Sequence, residues 1–388
     1  MEDFIFQNTT KIYFGKYVLP ELGNEVAKKA RKVMLVLGTG QVKRTRAYTD
    51  TMQSLHDRQI QVVEWNGIPP NPPLSAIKQA IELSRAESVE AVVALGGGSV
   101  LDAAKTIAAG HLFQGEIWDC FGPKRKCRIL QALPVFSVLT ISATGSEMNG
   151  TAVVTNDETH VKASLYSEAI YPAVSFIDPS YQVTLSESMT KYGAVDIFCH
   201  VTEQYFNQNT LSDVSDALSE GIMRTVLQRT KQILAEPTEV EPRAQLAWAG
   251  TMALNGLPGL GRGGGDFSSH RIGHALSALY DFPHGLTLAI VLPAWMRYVY
   301  KEAIPRFAQF GRNVFHLKGS DAETASKSII ALQHWIHSLG ISTSLVDQGV
   351  RIDALQEIIR NESIPYPLGK LRVLEPNDVE NILHLTNY

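Results

Sequence analysis

Through the first half of the chain, short apolar runs that stop at glycine alternate with helix-spaced segments. Val33 to Leu37 runs into Gly38, Gln61 to Trp65 into the turn Gly67 to Pro73, Ala91 to Leu95 into Gly96-Gly97-Gly98, and Pro134 to Leu139 into Thr140 to Glu147. Ala76 to Ser84 repeats at helical spacing, with Ile77, Ala80, Ile81 and Ser84 along one side. Strand-like runs that end in glycine and open into helices predict βα units around a mostly parallel sheet. Val153 to Thr155 and Val161 to Ser164 read as a hairpin around Asn156-Asp157, and Val174 to Ile177 as a last strand closed by Asp178-Pro179. Lys11 to Phe14 reads as an edge strand that could pair between subunits, giving a homodimer.

Beyond about Leu185 the texture changes. Helical patterns cover Ser186 to Gln208, Leu211 to Ala235, Pro242 to Leu254, His270 to Leu279 and Ala322 to Leu339, and strand-like runs nearly vanish. A chain of 388 residues also exceeds the size of most single cores. The expected fold class is α/β. Residues 1–183 form an N-terminal Rossmann-like parallel-sheet domain that binds a dinucleotide. Residues 184–388 form an all-helical C-terminal domain, and the two are expected to meet in a cleft.

Composition narrows the partners. The chain is 45% hydrophobic and 19% charged, with 35 basic against 39 acidic residues and a net charge of −4. That balance argues against nucleic acid and anionic membrane as partners. Lys28 to Lys32 and Lys124 to Arg128 read as solvated surface. The start, Met1-Glu2-Asp3-Phe4, has no basic segment leading into an apolar run, and no stretch of about 18 apolar residues could span a membrane, so a cytoplasmic enzyme is expected. Cys120, Cys127 and Cys199 are odd in number, so no disulfide framework is expected, and Cys199 reads as buried packing.

Asp196 and His200, four apart in a helical pattern, put a carboxylate and an imidazole on one face within reach of one ion. Of the chain's 11 histidines, His270, His274 and His284 lie close together in HRIGHALSALYDFPHG, with Pro283-His284-Gly285 read as a turn that returns the third imidazole. Imidazoles with one carboxylate suit a borderline divalent cation, Fe²⁺ or Zn²⁺, and not Mg²⁺ or Ca²⁺. Spacing alone leaves open which of His270 and His274 coordinates.

Gly96-Gly97-Gly98-Ser99 sits between a strand and a helix, where glycines admit a pyrophosphate to unpaired N–H groups at a positive helix end. Gly38-Thr39-Gly40-Gln41 closes an earlier strand, with Lys43, Arg44 and Arg46 behind it. Small residues and cations there, with no acidic residue for a ribose hydroxyl, favour NADP(H) over NAD(H).

The segments Asp196 to Phe206 and His270 to Gly285 resemble the metal-binding segments of the iron-containing (group III) alcohol dehydrogenases. Within that family they are most similar to the NADPH-dependent butanol dehydrogenase and aldehyde reductase branch. The similarity runs from about residue 5 to about residue 340 and includes the glycine turns. The resemblance implies Asp196, His200, His270 and His284 as metal ligands, with His274 off the metal, near substrate and suited to proton relay. It implies Asp102, in GGGSxxDxxK, on the nicotinamide or substrate side. It adds Thr140, Ser142, Asn71 and Lys162 to the cofactor positions, and it leaves Lys105 structural. The implied activity is hydride transfer between NADP(H) and a small aldehyde or primary alcohol. Two alternatives stand beside it: an NAD-linked zinc polyol dehydrogenase, and a dehydroquinate-synthase-like lyase of the same architecture. The lyase should carry extra basic residues for a phosphorylated, carboxylated substrate, and beyond Arg271 the metal segments have no lysine or arginine.

Overall fold

The computed structural model describes residues 1–39, 42–208 and 212–387. The chain divides into two compact units, one of Gln7–Met189 with Gln232–Thr251, the other of Met1–Phe6, Thr190–Lys231 and Met252–Tyr388.

The first unit is built on a parallel sheet. Its strands are β1 (Lys11–Phe14), β2 (Lys32–Gly38), β3 (Gln61–Ile68), β4 (Ala91–Gly96), β5 (Val135–Leu139) and, after the hairpin β6 (Thr151–Asn156) and β7 (Val161–Tyr166), β8 (Val174–Ile177). The spatial order is β1-β8-β5-β4-β2-β3, with the antiparallel β6-β7 pair separate. Helices α1 (Pro20–Ala27), α2 (Arg46–His56), α3 (Leu74–Ala86) and α4 (Gly98–Leu112) connect the strands. Strand alternation sorts the core into two layers. Val33, Leu35 and Leu37 with Ala91, Val93 and Leu95 pack against Leu22, Val26, Ala47 and Leu55 of α1 and α2. Met34, Val36, Val92 and Ala94 face Ile77, Ala80, Leu101, Ala104 and Ile107 of α3 and α4. Both faces are covered, so these strands read in sequence as unbroken apolar runs.

β1 lies at one edge of the sheet, paired only to β8 among the described strands. The order reverses between β2 and β4: β3 lies beyond β2, whereas β5 and β8 lie beyond β4. Leu37 pairs with Leu95, so Gly38 and Gly96 leave the sheet side by side at its carboxyl edge. Open α/β sheets bind ligands at that switch point.

The remaining helices are α5 (Glu187–Tyr205), α6 (Asp213–Ala235), α7 (Val240–Ala253), α8 (Ser268–Tyr280), α9 (His284–Val299), α10 (Ile304–Phe315), α11 (Asp321–Ser338), α12 (Leu355–Arg360) and α13 (Pro376–Leu385). Most of α7 groups with the sheet unit, where Thr251 donates to the buried Glu147 carboxylate at 2.6 Å. No helix among the described residues is long and apolar enough to cross a membrane.

Two sequence expectations need correction. Pro283-His284-Gly285 is not a free turn: Pro283 precedes α9, and His284 is that helix's first residue. Cys120 and Cys127 form a disulfide across a separation of seven residues, with Cα atoms 4.8 Å apart. Counting cysteines missed it because the pair is local. The 3₁₀ turn Ile117–Cys120 and the left-handed Gly122 (φ 72°) fold the chain back on itself there.

Candidate functional site

Asp196, His200 and Glu203 recur at helical spacing along the buried face of α5. α8 brings His270 and His274, and the link Asp281–Pro283, begun by a left-handed Asp281, returns the chain so that α9 starts with His284. Close helix approach depends on glycine. A Cβ on Gly273 would lie 2.8 Å from Thr287 Oγ1, and one on Gly285 would collide with the Tyr192 carbonyl of α5.

Three imidazoles surround one carboxylate oxygen. Asp196 Oδ1 lies 3.5 Å from His200 Nδ1, 3.6 Å from His270 Nε2 and 3.7 Å from His284 Nε2. These spacings exceed ordinary hydrogen bonds. Donors about 2.1 Å from a tetrahedral ion stand about 3.4 Å apart, which is close to what is seen. Asp196 Oδ1, His200 Nδ1 and His270 Nε2 are buried with no hydrogen-bond partner among the described residues. Leaving several such atoms unsatisfied is costly, and one cation would satisfy them together. Asp196, His270 and His284 present ligand atoms within 4.8 Å of one another and fit a divalent metal, with His200 Nδ1 beside Asp196 at 3.5 Å.

Burial would raise the Asp196 carboxyl, but His200, His270 and His284 outweigh it and hold it well below the usual range. Burial pushes His200 down to about 4 against the pull of Asp196. Burial also opposes charge on His270, but Glu203 and Asp196 win and push it up to about 9. The Cys199 thiol lies 3.8 Å from His270 Nδ1, and burial, then Glu203 and Asp196, raise its pKa; Cys199, Glu203 and His270 form a second buried group whose ligand atoms lie within 4.8 Å of one another. His274 is buried but stands apart, its ring 6.4 Å from that of His270 and 5.3 Å from that of His284. Sequence reasoning passed over Glu203, whose carboxylate meets His270 Nδ1, although its spacing from Asp196 and His200 was the available signal.

In the sheet unit, Gly97 is the N-cap of α4 and supplies no side-chain acceptor, which leaves this helix end suited to an anion. The glycines are sterically required. A Cβ on Gly96 would lie 2.5 Å from Val100 Cγ2, one on Gly97 3.0 Å from Ile141, and one on Gly98 would strike Thr144. Ser99 lies in the first turn of α4, and Thr140 N donates to Gly96 O at 3.0 Å, so these residues share the carboxyl edge. Gly40 and Gln41 lie outside the described residues.

Other expected cofactor residues already have protein partners. Ser142 exchanges hydrogen bonds with Gln182, donating at 3.0 Å and accepting at 2.8 Å. Asp102 accepts from Ser146 Oγ at 2.7 Å and from Val153 N at 3.0 Å, and burial raises its pKa against the pull of Lys105. Lys105 is fully buried and donates to Ser146 Oγ at 2.8 Å, Asn149 O at 2.8 Å and Thr151 O at 2.9 Å. Burial lowers its pKa to about 8. Together Asp102 and Lys105 stitch α4 to the segment that enters β6. Lys162 donates to Asn71 Oδ1 at 2.7 Å, with Asn71 in the left-handed region (φ 53°) that asparagine tolerates. Lys43 pairs with Glu64, which also accepts from Tyr48 at 2.5 Å. Arg46 lies 3.4 Å from Asp50 and 3.6 Å from Asp178.

A doubly covered parallel sheet with glycine turns at its switch point, and a histidine–carboxylate cluster in the helical unit, define a two-unit oxidoreductase of α/β-plus-helical type. The chain belongs to the iron-containing alcohol dehydrogenase family: residues 9–179 match "Iron-containing alcohol dehydrogenase" and residues 190–385 match "Fe-containing alcohol dehydrogenase family, C-terminal". It is 35% identical over 388 residues to NADH-dependent butanol dehydrogenase A of Clostridium acetobutylicum, covering 99% of each chain. It is 34% identical over 363 residues to the NADPH-dependent aldehyde reductase of Escherichia coli, covering 93% of this chain and 92% of that one. Among solved structures, that of NADH-dependent butanol dehydrogenase A from Thermotoga maritima matches with a TM-score of 0.96 and 44% identity, over 100% of this chain and 99% of that one.

Proposed function

We propose that the chain transfers hydride between NADP(H) and a small aldehyde or primary alcohol, with one Fe²⁺ or Zn²⁺ held by Asp196, His200, His270 and His284. The observation that carries this reading is the convergence of three imidazole nitrogens on Asp196 Oδ1 at 3.5–3.7 Å. A divalent metal and a nicotinamide cofactor agree with the family, whose relatives are named as alcohol dehydrogenases and aldehyde reductases linked to NADH or NADPH. When bound, the metal supplies Lewis acidity toward the substrate oxygen. Asp196 contributes the anionic ligand, and His270, oriented by Glu203, contributes a neutral nitrogen. His274, off the metal, carries the proton to or from the substrate oxygen, a task an imidazole performs near neutral pH. The glycine turns after β2 and β4 hold the pyrophosphate, with Ser99 and Thr140 at the same edge. Asp102 acts on the cofactor side by holding the Ser146–Val153 segment in place. Edge strand β1 is the proposed contact of a homodimer, and the cytoplasm the proposed location.

The test is oxidation of NADPH and of NADH with butanal, after the metal-stripped protein is reloaded with Fe²⁺ or Zn²⁺. Turnover is expected only in the reloaded protein, and faster with NADPH. Absence of turnover with any small aldehyde would defeat the reductase reading, and faster NADH oxidation would defeat the NADP(H) preference.

Glu64 bears on that preference, because it neutralises the nearest lysine behind the Gly38 turn. Glu64→Gln is expected to raise the NADPH-over-NADH ratio of kcat/KM by about tenfold, roughly the effect of freeing one partly exposed charge. An unchanged ratio would mean that Lys43 does not face the ribose phosphate.

A further inference from the structure

Glu203 is fully buried on α5 and makes contacts that no coordinating role requires. Its Oε1 accepts from the backbone N–H of Ser269 at 2.6 Å and of His270 at 3.3 Å. Its Oε2 meets His270 Nδ1. The N-cap of α8, Phe267, gives no side-chain cap, so the helix's first N–H groups need outside acceptors. Asp266 takes the first: its Oδ1 accepts from Ser268 N at 3.1 Å, while Oδ2 accepts from Lys370 N at 2.6 Å and Leu371 N at 2.9 Å. Glu203 takes the next two, and the helix's own ladder then starts at Arg271 N to Phe267 O, 3.1 Å. Asp266 N also donates to Glu203 O at 2.8 Å, joining the two carboxylate residues directly.

We infer that Glu203 is the positioning residue of the metal centre: it gives the metal no ligand but fixes both the tautomer of His270 and the place of α8 against α5. A carboxylate can only accept, so the proton of the neutral imidazole must sit on Nδ1, and the Nε2 lone pair faces Asp196. Nε2 is the nitrogen that lies 3.6 Å from Asp196 Oδ1 and has no hydrogen-bond partner among the described residues. A second carboxylate behind a metal-binding imidazole also raises its basicity toward the metal. Asp266 has a separate task, holding the start of α8 and the 368–374 segment through the N–H groups of Ser268, Lys370 and Leu371.

This inference rests on the metal reading above, and its test separates the two. The stripped parent and three full-length variants are titrated with Zn²⁺ against a chromophoric chelator, and the visible spectrum of each Co²⁺-loaded form is recorded. In Glu203→Gln the amide oxygen still accepts from Ser269, but an N–H now faces Nδ1 and forces the wrong tautomer. Affinity is expected to fall about 10- to 100-fold, with an altered Co²⁺ spectrum. Glu203→Asp keeps the acceptor and should recover part of the loss. Asp266→Asn should lower the melting temperature yet keep Zn²⁺ affinity within a few-fold. Parent affinity and spectrum in Glu203→Gln would overturn the inference, as would equal losses in Glu203→Gln and Asp266→Asn. If Glu203→Gln does not melt cooperatively, the ordering of Glu203→Asp below parent and Asp266→Asn near parent decides. A parent that binds neither Zn²⁺ nor Co²⁺ would instead remove the metal reading itself.

Discussion

Asp196→Ala is expected to leave the purified protein with far less than one metal ion per chain and to cut kcat/KM by about a thousandfold or more. Lewis-acid stabilisation by a bound metal is worth several kcal/mol, and each 1.4 kcal/mol is about a factor of ten in rate. The loss should be this severe because Asp196 is the hub of the cluster. Its Oδ1 is within 3.7 Å of all three ligand imidazoles, and it supplies the only carboxylate among the four proposed ligands. Without it, two buried imidazoles and the half-buried His284 face one another with nothing to offset a cation's loss of water. Asp196→Asn, which keeps the volume and removes the charge, should behave almost as badly. Metal content by elemental analysis, alongside NADPH-linked turnover, is the measurement. A variant that keeps stoichiometric metal and parent turnover would refute the assignment. The melting temperature should fall as well, because an ion that binds only the native state stabilises it by mass action.

His274→Ala should behave in the opposite way, keeping the metal while losing rate. Its ring is buried beside the cluster, 5.3 Å from that of His284 and 6.4 Å from that of His270. Removing a positioned proton carrier costs about 10² to 10⁴ in rate, so kcat is expected to fall in that range while metal content stays at parent level. Loss of metal in this variant would move His274 into the ligand set. Undiminished kcat with full metal would remove it from proton transfer.

The spacing of Asp196 and His200 was readable in the sequence because helix geometry is local: two residues four apart share a face wherever the helix goes. The choice between His270 and His274 was not readable, since both lie on α8 at the same spacing. Only the packing of α5, α8 and α9 decides which ring turns toward Asp196. The same limit hid the partner of Lys43, whose counter-charge Glu64 lies on β3 at a separation of 21 residues. It also hid the fact that both oxygens of Asp102 are taken by Ser146 and Val153.

The sheet strands were legible for a related reason. Strands covered on both faces are apolar almost throughout, so β2 and β4, each ending in glycine, announce themselves by composition, and β5 and β8 do so with one buried serine each, Ser137 and Ser175, paired at 2.6 Å. Their order, and with it the switch point that brings Gly38 beside Gly96, depends on hydrogen bonds between segments tens of residues apart.

On the metal, the sequence alone determined the kind of centre, since three imidazoles and a carboxylate carry their chemistry with them. The tertiary structure decided which side chains meet: His284 arrives as the first residue of α9, His200, His270 and His284 come within 3.7 Å of Asp196 Oδ1, and the Glu203 carboxylate meets His270 Nδ1. Residue type and local period survive in one dimension. Which lone pair faces which neighbour is settled only when buried polar atoms from distant segments must satisfy one another.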